Sequence, residues 1–468
     1  MAARIRPIRV SPSRHEFHGT TRPDNQLALL DQAFFDGHRA AGQKEVMQVG
    51  WLYRHAVDLD ELNGFHHNLS HGLLGRRIER SPLPFGRHRW VVDDQPTEIE
   101  LAAAARPRAE LGDWFDECTR EPVDPERGPG WRLSVLPLTD GSTAISLVLS
   151  HYVIDGIGGA LAVTEAALNL PRHLDYPPPR SRGRVRALIQ DSAACLHDTG
   201  PVARAFAVAV RGARGRVDDV ARAKASRPAG QDGNPHDPIT MPSVWIRINL
   251  DEWSARAEAL GGTASTLAAA VTARLDQHMG RRHGDCDGVP VLLVVNDRTA
   301  DDVRAIAVSF VRARLDPTGV TADLRGARAA IKQALQTHRD SPDESAELAA
   351  LTPFTPKQAW RLMVESALSD PEYPAVCSNL GDTGPAAIRP DGSRCDDVFA
   401  RGASQHLTRH WLDRMGSQLH LFIGTSAEIN RVGIYVSGYQ PGSVTTRAEL
   451  RALAACTLAE FSLVADID

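Results

Sequence analysis

The chain of 468 residues is 42% hydrophobic and 24% charged, with 37 Gly and 30 Pro, which is a globular composition with room for two domains. A formal net charge of -5, from 53 basic and 58 acidic side chains, creates no overall positive field for nucleic acid. Six separated cysteines without a C-x-x-C pair indicate reduced thiols. No apolar segment follows the basic N-terminus, and no run approaches the ~18 apolar residues of a membrane span, so we expect a cytoplasmic protein without a transmembrane segment.

The chain up to residue 75 predicts helices and a strand in alternation. The spacing of apolar residues predicts a helix at 25–40, with Phe34 on its apolar face, and a second helix at 58–75. Asp58 is a favoured N-cap residue type, which predicts where the second helix begins. The segment 45–53 between the helices has the composition of a strand.

A hairpin is predicted in the middle of the first half. Two β-rich runs, 131–138 and 143–150, are joined around an Asp-Gly pair, which is a typical hairpin turn. The second run is almost entirely apolar, so we expect both of its faces to be buried. This strand leads directly to His151, and a helix is predicted at about 157–169.

The second half repeats the alternation after a change in composition. Three consecutive prolines and alternating arginines mark 175–186 as a linker, and an Ala/Arg-rich helical segment and a loop follow it up to residue 238. The simplest architecture is two lobes of mixed α/β structure, an N-terminal lobe at 1–180 and a C-terminal lobe at 239–468, with a crossover at 181–238. The C-terminal lobe is predicted to contain strands at 244–250, 289–296, 305–315, 418–425 and 431–439, and helices at 264–280, at 321–338 and from about 446.

The most specific local pattern is His151-Tyr-Val-Ile-Asp155-Gly156, at the exit of the buried strand. A spacing of four lets the aspartate hold the turn behind the imidazole, and the glycine permits close approach of the backbone. An imidazole with an ordinary pKa is suited to take a proton from a hydroxyl, thiol or amine at neutral pH. A chain with 18 histidines produces such a pattern by chance roughly one time in ten, so the position after a buried strand adds to the argument.

The segment SHYVIDGIGG (150–159) resembles the HHxxxDG motif of the CoA-dependent acyltransferase superfamily. That superfamily includes chloramphenicol acetyltransferase, carnitine acyltransferases, condensation domains of peptide synthetases and bacterial wax ester synthases. The resemblance extends over most of the chain, because GRRIE (75–79), VLLVVNDRT (291–299) and AVCSNLGD (375–382) are similar to further segments of these proteins. Bacterial condensation-like and wax-synthase-like members are the most similar.

The resemblance implies an α/β fold with mixed sheets, in which two chloramphenicol-acetyltransferase-like lobes enclose a tunnel. Donor thioester and acceptor would enter from opposite sides and meet at His151, the general base. Asp155 would be structural and would pair with Arg298, since a buried carboxylate needs a partner and arginine offers a bidentate one. The alternative for Arg298 is a surface position after a strand. Gly156 could lend a backbone N–H to the oxyanion.

Four further residues are weaker candidates for the tunnel lining: Ser150, Ser378, Asn379 and Thr425. Ordinary turn chemistry explains the Ser-Asn-Leu-Gly segment equally well. Two departures from the family pattern bear on activity. Ser150 stands where the fuller motif has its first histidine, and Ile306 stands where relatives often have asparagine.

No metal or redox cofactor is expected, and acyl-CoA or a phosphopantetheine thioester would serve as co-substrate. His66, His67 and His71 have neither the glutamate nor the cysteine that would complete a zinc site. The expected partners are the thioester donor and a small-molecule acceptor, with an acyl carrier protein as another donor. Two groups of arginines are compatible with docking of CoA phosphates or an acidic carrier, or with solvated faces. They are Arg180, Arg182, Arg184 and Arg186, and Arg211, Arg214 and Arg216.

The favoured function is therefore transfer of an acyl group from a thioester to a hydroxyl or amine, with an ester in lipid or secondary metabolism as the first choice. One alternative is an amide-forming enzyme that resembles condensation domains and uses carrier-bound substrates. A non-catalytic binding protein of the same fold is the other. The substitutions at Ser150 and Ile306 motivate it, whereas His151, Asp155 and Arg298 argue for catalysis.

Overall fold

The computed structural model describes residues 25–94, 97–197, 239–283, 287–299, 301–340, 348–368 and 372–468. Most of the predicted crossover at 181–238, with Arg211, Arg214 and Arg216, lies outside these residues. The helices in the described ranges are α1 (Leu29–Ala40), α2 (Leu59–His71), α3 (Leu111–Arg120), α4 (Gly156–Ala167), α5 (Arg184–His197), α6 (Leu250–Ala259), α7 (Ala264–His278), α8 (Arg325–Asp340), α9 (Lys357–Leu368), α10 (Arg409–Met415) and α11 (Arg447–Glu460). None of them is both long enough and apolar enough to cross a membrane.

The strands of the described ranges form two large sheets and one small one. Their bounds are β1 (Lys44–Tyr53), β2 (Arg76–Glu79), β3 (Arg89–Val92), β4 (Ile99–Leu101), β5 (Trp131–Pro137), β6 (Thr143–Ser150), β7 (Ser243–Asn249), β8 (Val289–Asn296), β9 (Val308–Leu315), β10 (Ala375–Asp382), β11 (Asp397–Gln405), β12 (Gln418–Ser426), β13 (Arg431–Tyr439) and β14 (Asp466–Ile467).

The first sheet has the strand order β11-β1-β6-β5-β4, and it belongs to the N-terminal lobe. The predicted hairpin is confirmed as β5 and β6, and every residue of β6 is buried. Residues of α2 and α4 pack with one face of this sheet, where Leu147 and Leu149 lie. Residues of α3 pack with the opposite face, where Val148 lies. Because β6 is covered on both sides, its end at Ser150 is held in a fixed position.

The second sheet has the order β14-β7-β13-β12-β10-β8-β9 and forms the C-terminal lobe. Its apolar face packs against α7 and α11 in the largest hydrophobic cluster, which includes Leu267, Leu421 and Leu458. Strands β8, β10 and β12 are parallel, whereas β9, β13, β7 and β14 pair antiparallel. The sheets are thus mixed, as expected.

A strand from the second half of the chain completes the first sheet. β11 pairs antiparallel with β1 over nine residue pairs, from Lys44 opposite Gln405 to Leu52 opposite Asp397. The predicted lobe bounds assign residues 397–405 to the C-terminal lobe. Pairing between segments about 350 residues apart leaves no local pattern in the sequence, so it was not predicted. Through β11, the two lobes share one continuous β-sheet.

Side chains that accept hydrogen bonds from backbone N–H groups determine where several helices and strands begin. The strand predicted at 305–315 begins at Val308, because the N–H groups of residues 305–307 donate to carboxylates of the N-terminal lobe. Asp58 caps α2 as predicted, since its carboxylate accepts from the N–H groups of residues 60 and 61. The Ser-Asn-Leu-Gly segment lies in β10, with a bulge between Asn379 and Gly381, rather than in a simple turn.

Candidate active site

His151 lies in the turn between β6 and α4, at the junction of the two lobes. Its N–H donates to the carbonyl oxygen of Glu45 at 3.0 Å, which continues the pairing of β6 with β1 beyond the strand end. Burial lowers the pKa of His151, while contact of the ring with its own backbone and the charge of Asp155 oppose that shift. Among the described residues, no other residue makes a well-formed hydrogen bond to its Nδ1. The ring is therefore neutral at neutral pH.

Asp155 is the N-cap of α4 and is also the partner of Arg298. Its Oδ1 accepts from the N–H of Gly158 at 2.7 Å, so it stabilises the first turn of the helix. Its Oδ2 accepts from Nη2 of Arg298 and from the N–H of Ala307, both at 2.7 Å. Both charged side chains are 2% exposed. The carboxylate thus joins the turn that carries His151 to the segment between β8 and β9.

The guanidinium of Arg298 is held by backbone carbonyls as well as by Asp155. Nη1 donates to the carbonyl oxygens of Asp302 and Arg304 at 3.2 and 2.9 Å, and Nη2 donates to that of Ala305 at 3.1 Å. These contacts hold residues 302–305 against the guanidinium of Arg298. The pairing with Asp155 and the burial place Arg298 in the interior, not at the surface.

Two residues outside the motif fix the same loop from the N-terminal lobe. Asp31 of α1, which is 1% exposed, accepts from the N–H groups of Ala305 and Ile306 at 3.0 and 2.8 Å. Arg76 of β2 is fully buried and donates from Nη1 to the carbonyl oxygen of Val303 in this loop and from Nη2 to that of Val153, in the turn after His151, at 2.8 Å. No pattern in the sequence marks Asp31, which lies on the buried face of α1. Arg76 lies in the GRRIE segment.

Gly156 is the first residue of α4, and a side chain at this position would collide with the C-terminal lobe. A Cβ built there lies 2.7 Å from a methyl carbon of Leu380 on β10. The motif glycine therefore allows the two lobes to approach each other beside His151. Its assignment as an oxyanion donor stays a prediction.

The weaker tunnel candidates are distributed over different faces. Ser150 is 1% exposed, and strand alternation places its side chain on the opposite face of the sheet from Leu149 and His151. In β10, Ser378 lies on the same face as Leu380, which approaches Gly156. Their role in a tunnel stays a prediction.

Asn379 and Thr425 lie toward the helix-covered face of the second sheet. Asn379 donates to the hydroxyl of Ser265 at the start of α7, at 3.1 Å. Thr425 follows the buried Leu421 and Ile423 in alternation along β12. The structure thus separates Ser378 from Asn379, although they are adjacent in sequence.

Helix α1 contributes a second half-buried imidazole, His38. His38 and His151 both contact Phe34, with ring centroids 4.2 and 5.3 Å from that of the phenylalanine. Burial and the neighbouring His151 lower the pKa of His38 to about 3, so it is neutral. The signal in the sequence was the spacing of four between Phe34 and His38, which puts both on one face of a helix.

A half-buried glutamate also adjoins His151 on the first sheet. Glu45 of β1 accepts from the hydroxyl of Ser404 on β11 at 2.7 Å. Removal from water raises the pKa of Glu45 to about 7, against the opposing effect of that hydrogen bond. The N–H of Glu45 donates to the hydroxyl of Tyr152 at 3.0 Å. Nothing in the sequence marks Glu45, because a glutamate at the start of a strand has no distinctive pattern.

Within the described ranges, one further group of side chains has the ligand types of a metal site, on α7 and α11. The ligand atoms of His278, Cys456 and Glu460 lie within 4.8 Å of one another. Glu460 already accepts from Arg274 at 2.5 and 3.0 Å, and Nδ1 of His278 lies 2.8 Å from the hydroxyl of Thr457. This group is distant in the fold from His151 and has the contacts of an ion-pair network.

Comparison with protein-family models and with curated proteins finds no match for the chain. Solved structures do match over nearly its whole length. The first condensation domain of the CDA synthetase has a TM-score of 0.56 at 13% identity, covering 95% of this chain and 99% of that chain. The condensation domain of the Monacolin K polyketide synthase MokA has a TM-score of 0.53 at 14% identity, covering 94% and 96%. Polyketide synthase associated protein 5 from Mycobacterium tuberculosis has a TM-score of 0.52 at 14% identity, covering 94% and 98%.

At these identities the likeness concerns the fold. The chain has the two-lobed fold of condensation domains, with helices and mixed sheets, which confirms the predicted fold class. A variant of the starter condensation domain of rhizomide synthetase, solved in complex with C8-CoA and Leu-SNAC, has a TM-score of 0.53 at 13% identity and covers 94% of each chain.

Proposed function

We propose that this protein transfers an acyl group from a thioester to a hydroxyl or amine acceptor, with His151 as the general base. The observation that carries the proposal is the neutral, half-buried imidazole of His151, in a turn whose geometry Asp155 and Arg298 determine. A neutral imidazole can accept a proton, and its partial exposure leaves it within reach of a substrate.

The proposed reaction needs one residue that moves a proton. Nε2 of His151 takes the proton of the acceptor while the acceptor oxygen or nitrogen attacks the thioester carbonyl. A donor such as the N–H of Gly156 stabilises the negative charge on the carbonyl oxygen. The thiolate then leaves with the proton from the imidazolium. Acyl-CoA or a phosphopantetheine thioester is the co-substrate, and the step uses no covalent acyl-enzyme.

The comparisons support this class of chemistry by analogy of fold. Three of the structures compared above are condensation domains, and one of them was solved in complex with C8-CoA and Leu-SNAC. A thioester donor and an amine acceptor therefore fit a site of this fold.

The test measures free thiol release from acyl-CoAs of increasing chain length, with pooled alcohol and amine acceptors. The wild type is expected to release thiol only when an acceptor is present. His151→Ala is expected to lower kcat by about a hundredfold to ten-thousandfold, the usual contribution of a general base. His71→Ala, which removes an exposed imidazole from α2, is the matched control and should retain wild-type activity.

A second candidate is amide formation with carrier-bound substrates, which the condensation domains among the matching structures favour. If every acyl-CoA is inert, the same assay is repeated with acyl groups loaded on a carrier protein. If neither the wild type nor His151→Ala releases thiol with either kind of donor, the result would contradict catalysis and support a binding role.

A further inference from the structure

The carboxyl group of Glu45 lies beside the base of the proposed reaction. In the pairing of β1 with β6, Val46 is opposite Ser150, the last residue of β6. One residue farther, in the turn, the N–H of His151 donates to the carbonyl oxygen of Glu45 at 3.0 Å. On the other side of β1, Glu45 is opposite Ser404. Glu45 and His151 are therefore direct neighbours across the end of the β1–β6 pair.

Glu45 has fewer partners than four buried carboxylates of the protein. Asp155, Asp116 and Asp276 are each paired with an arginine, and Asp31 accepts from two backbone N–H groups. For the half-buried Glu45, the part of the chain that the structure describes supplies one hydroxyl donor, Ser404, and no cation. Removing a carboxylate from water without a cation is costly, so such a group readily takes up a proton or a cationic ligand.

The charge of this carboxyl group affects the pKa of two tyrosines. Burial raises the pKa of Tyr152, and the negative charge of Glu45 raises it further. The same two effects raise the pKa of Tyr373, which precedes β10 in the C-terminal lobe. Both tyrosines are therefore neutral, and the hydrogen bond from Ser404 of β11 shows that Glu45 contacts the second half of the chain.

Amine and alcohol acceptors differ in the number of protons that they must lose. A primary amine has a pKa of about 10, as lysine does, so it reaches the site as an ammonium ion at neutral pH. It must lose one proton before it can attack and a second during the attack, whereas an alcohol loses only one. We infer that Glu45 is the second base, which binds an ammonium-bearing acceptor and removes its first proton, so that the preferred acceptor is a primary amine.

The proposed step balances and rests on the proposed acyl transfer. The carboxylate of Glu45 takes one proton from R–NH₃⁺, which leaves R–NH₂ and a neutral carboxylic acid. The amine nitrogen then attacks the thioester carbonyl while His151 takes the next proton, and the thiolate leaves as a thiol with that proton. Glu45 returns its proton to solvent, so the products are an amide, a free thiol and one proton.

The experiment compares hexylamine with hexan-1-ol as acceptors and uses an acyl-CoA donor, with product identified by mass. For the wild type we expect the amine to be the better acceptor. Glu45→Gln should lower the ratio of kcat/KM for amine over alcohol by about tenfold or more, since the lost interaction is a hydrogen bond to a charged group. The difference in this ratio between Glu45→Gln and the wild type should become smaller as the pH approaches the pKa of the amine. At that pH much of the amine is already neutral when it binds.

Two further variants separate this role from a merely structural one. Ser404→Ala keeps the carboxyl group but removes the hydrogen bond that lowers the pKa of Glu45. It should therefore weaken amine transfer at neutral pH and restore it at higher pH. Glu117→Gln changes an exposed glutamate of α3 and is the matched control. It should leave the ratio of kcat/KM for amine over alcohol unchanged. If Glu45→Gln lowers kcat/KM equally for the amine and the alcohol, or lowers it for neither, the inference is overturned.

Calorimetry of hexylamine and hexan-1-ol binding keeps the inference testable if no acyl-CoA turns over. Tighter binding of the amine by the wild type, lost in Glu45→Gln, supports the role of Glu45 even without catalysis. Equal binding of hexylamine by the two proteins overturns it. Acceptor-dependent turnover that is lost in His151→Ala but shows no amine preference would retain the proposed function and reject only the role of Glu45.

Discussion

Burial determines how the single side chain of His151 titrates. Removing the ring from water disfavours its charged form, and the contact with its own backbone and the charge of Asp155 compensate only in part. The consequence for catalysis is favourable, because a general base works in its unprotonated form.

The pH profile of the reaction tests this shift. Because the folded pKa of His151 lies below its ordinary value of 6.5, protonation of the base requires a lower pH, and the acid limb of kcat/KM should have its midpoint below 6.5. An alcohol acceptor is used, since it does not itself titrate in this range. A midpoint at or above 6.5 would contradict a buried, neutral base.

At the scale of an element, β1 is the strand on which the site depends. It pairs with β6 on one side and with β11 on the other, and its start carries Glu45 beside His151. Farther along, Gly50 leaves room for aromatic rings that join the lobes. Phe399 of β11 contacts both Phe115 of α3 and Trp245 of β7, with ring centroids 4.7 and 4.8 Å apart.

Gly50→Ala should destabilise the protein because its new methyl group has no space. A Cβ at this position lies 2.2 Å from the ring of Phe399 and 2.9 Å from that of Phe115. Overpacking of this kind costs about 1–3 kcal/mol in the free energy of unfolding, which urea denaturation measures.

Gly64→Ala is the matched control, since a Cβ at this position in α2 meets nothing within 4 Å. Replacing a glycine inside a helix should raise the free energy of unfolding by about 0.5–1 kcal/mol. If the two substitutions had effects of the same sign, the packing described for β1 would be incorrect.

At the scale of the whole molecule, two kinds of contact hold the lobes in register. One is β11, which crosses into the first sheet. The other is the pair of Asp155 and Arg298, which joins the turn that carries His151 to the loop after β8. Asp31 adds a second carboxylate to that loop. The position of His151 relative to the second lobe therefore depends on buried polar contacts as well as on the core.

Arg298→Ala should lower the free energy of unfolding by about 3–5 kcal/mol, because it leaves Asp155 buried without its cation. Arg325→Ala is the control, since Arg325 is 80% exposed in its pair with Asp323, and exposed pairs contribute about 0–1 kcal/mol. Urea denaturation of both variants checks the prediction. A loss of similar size in the two would show that Arg298 is not a buried partner.

Local pattern in the sequence was sufficient for much of the fold. The hairpin of β5 and β6, the helix α7 and the cap at Asp58 each involve neighbours in sequence, whose side chains determine the backbone directly. The motif from His151 to Gly156 was visible for the same reason, since all its residues belong to one turn. These features needed no knowledge of distant contacts.

The tertiary structure alone decided which distant residues surround His151. Glu45, Phe34 and His38 reach it from β1 and α1, more than 100 residues earlier in the chain, and no spacing in the sequence records that approach. The start of β9 at Val308 and the crossing of β11 depend in the same way on hydrogen bonds between segments far apart. Short-range periodicity reflects the geometry of one helix or strand, whereas the chemistry of a site depends on how separate elements pack.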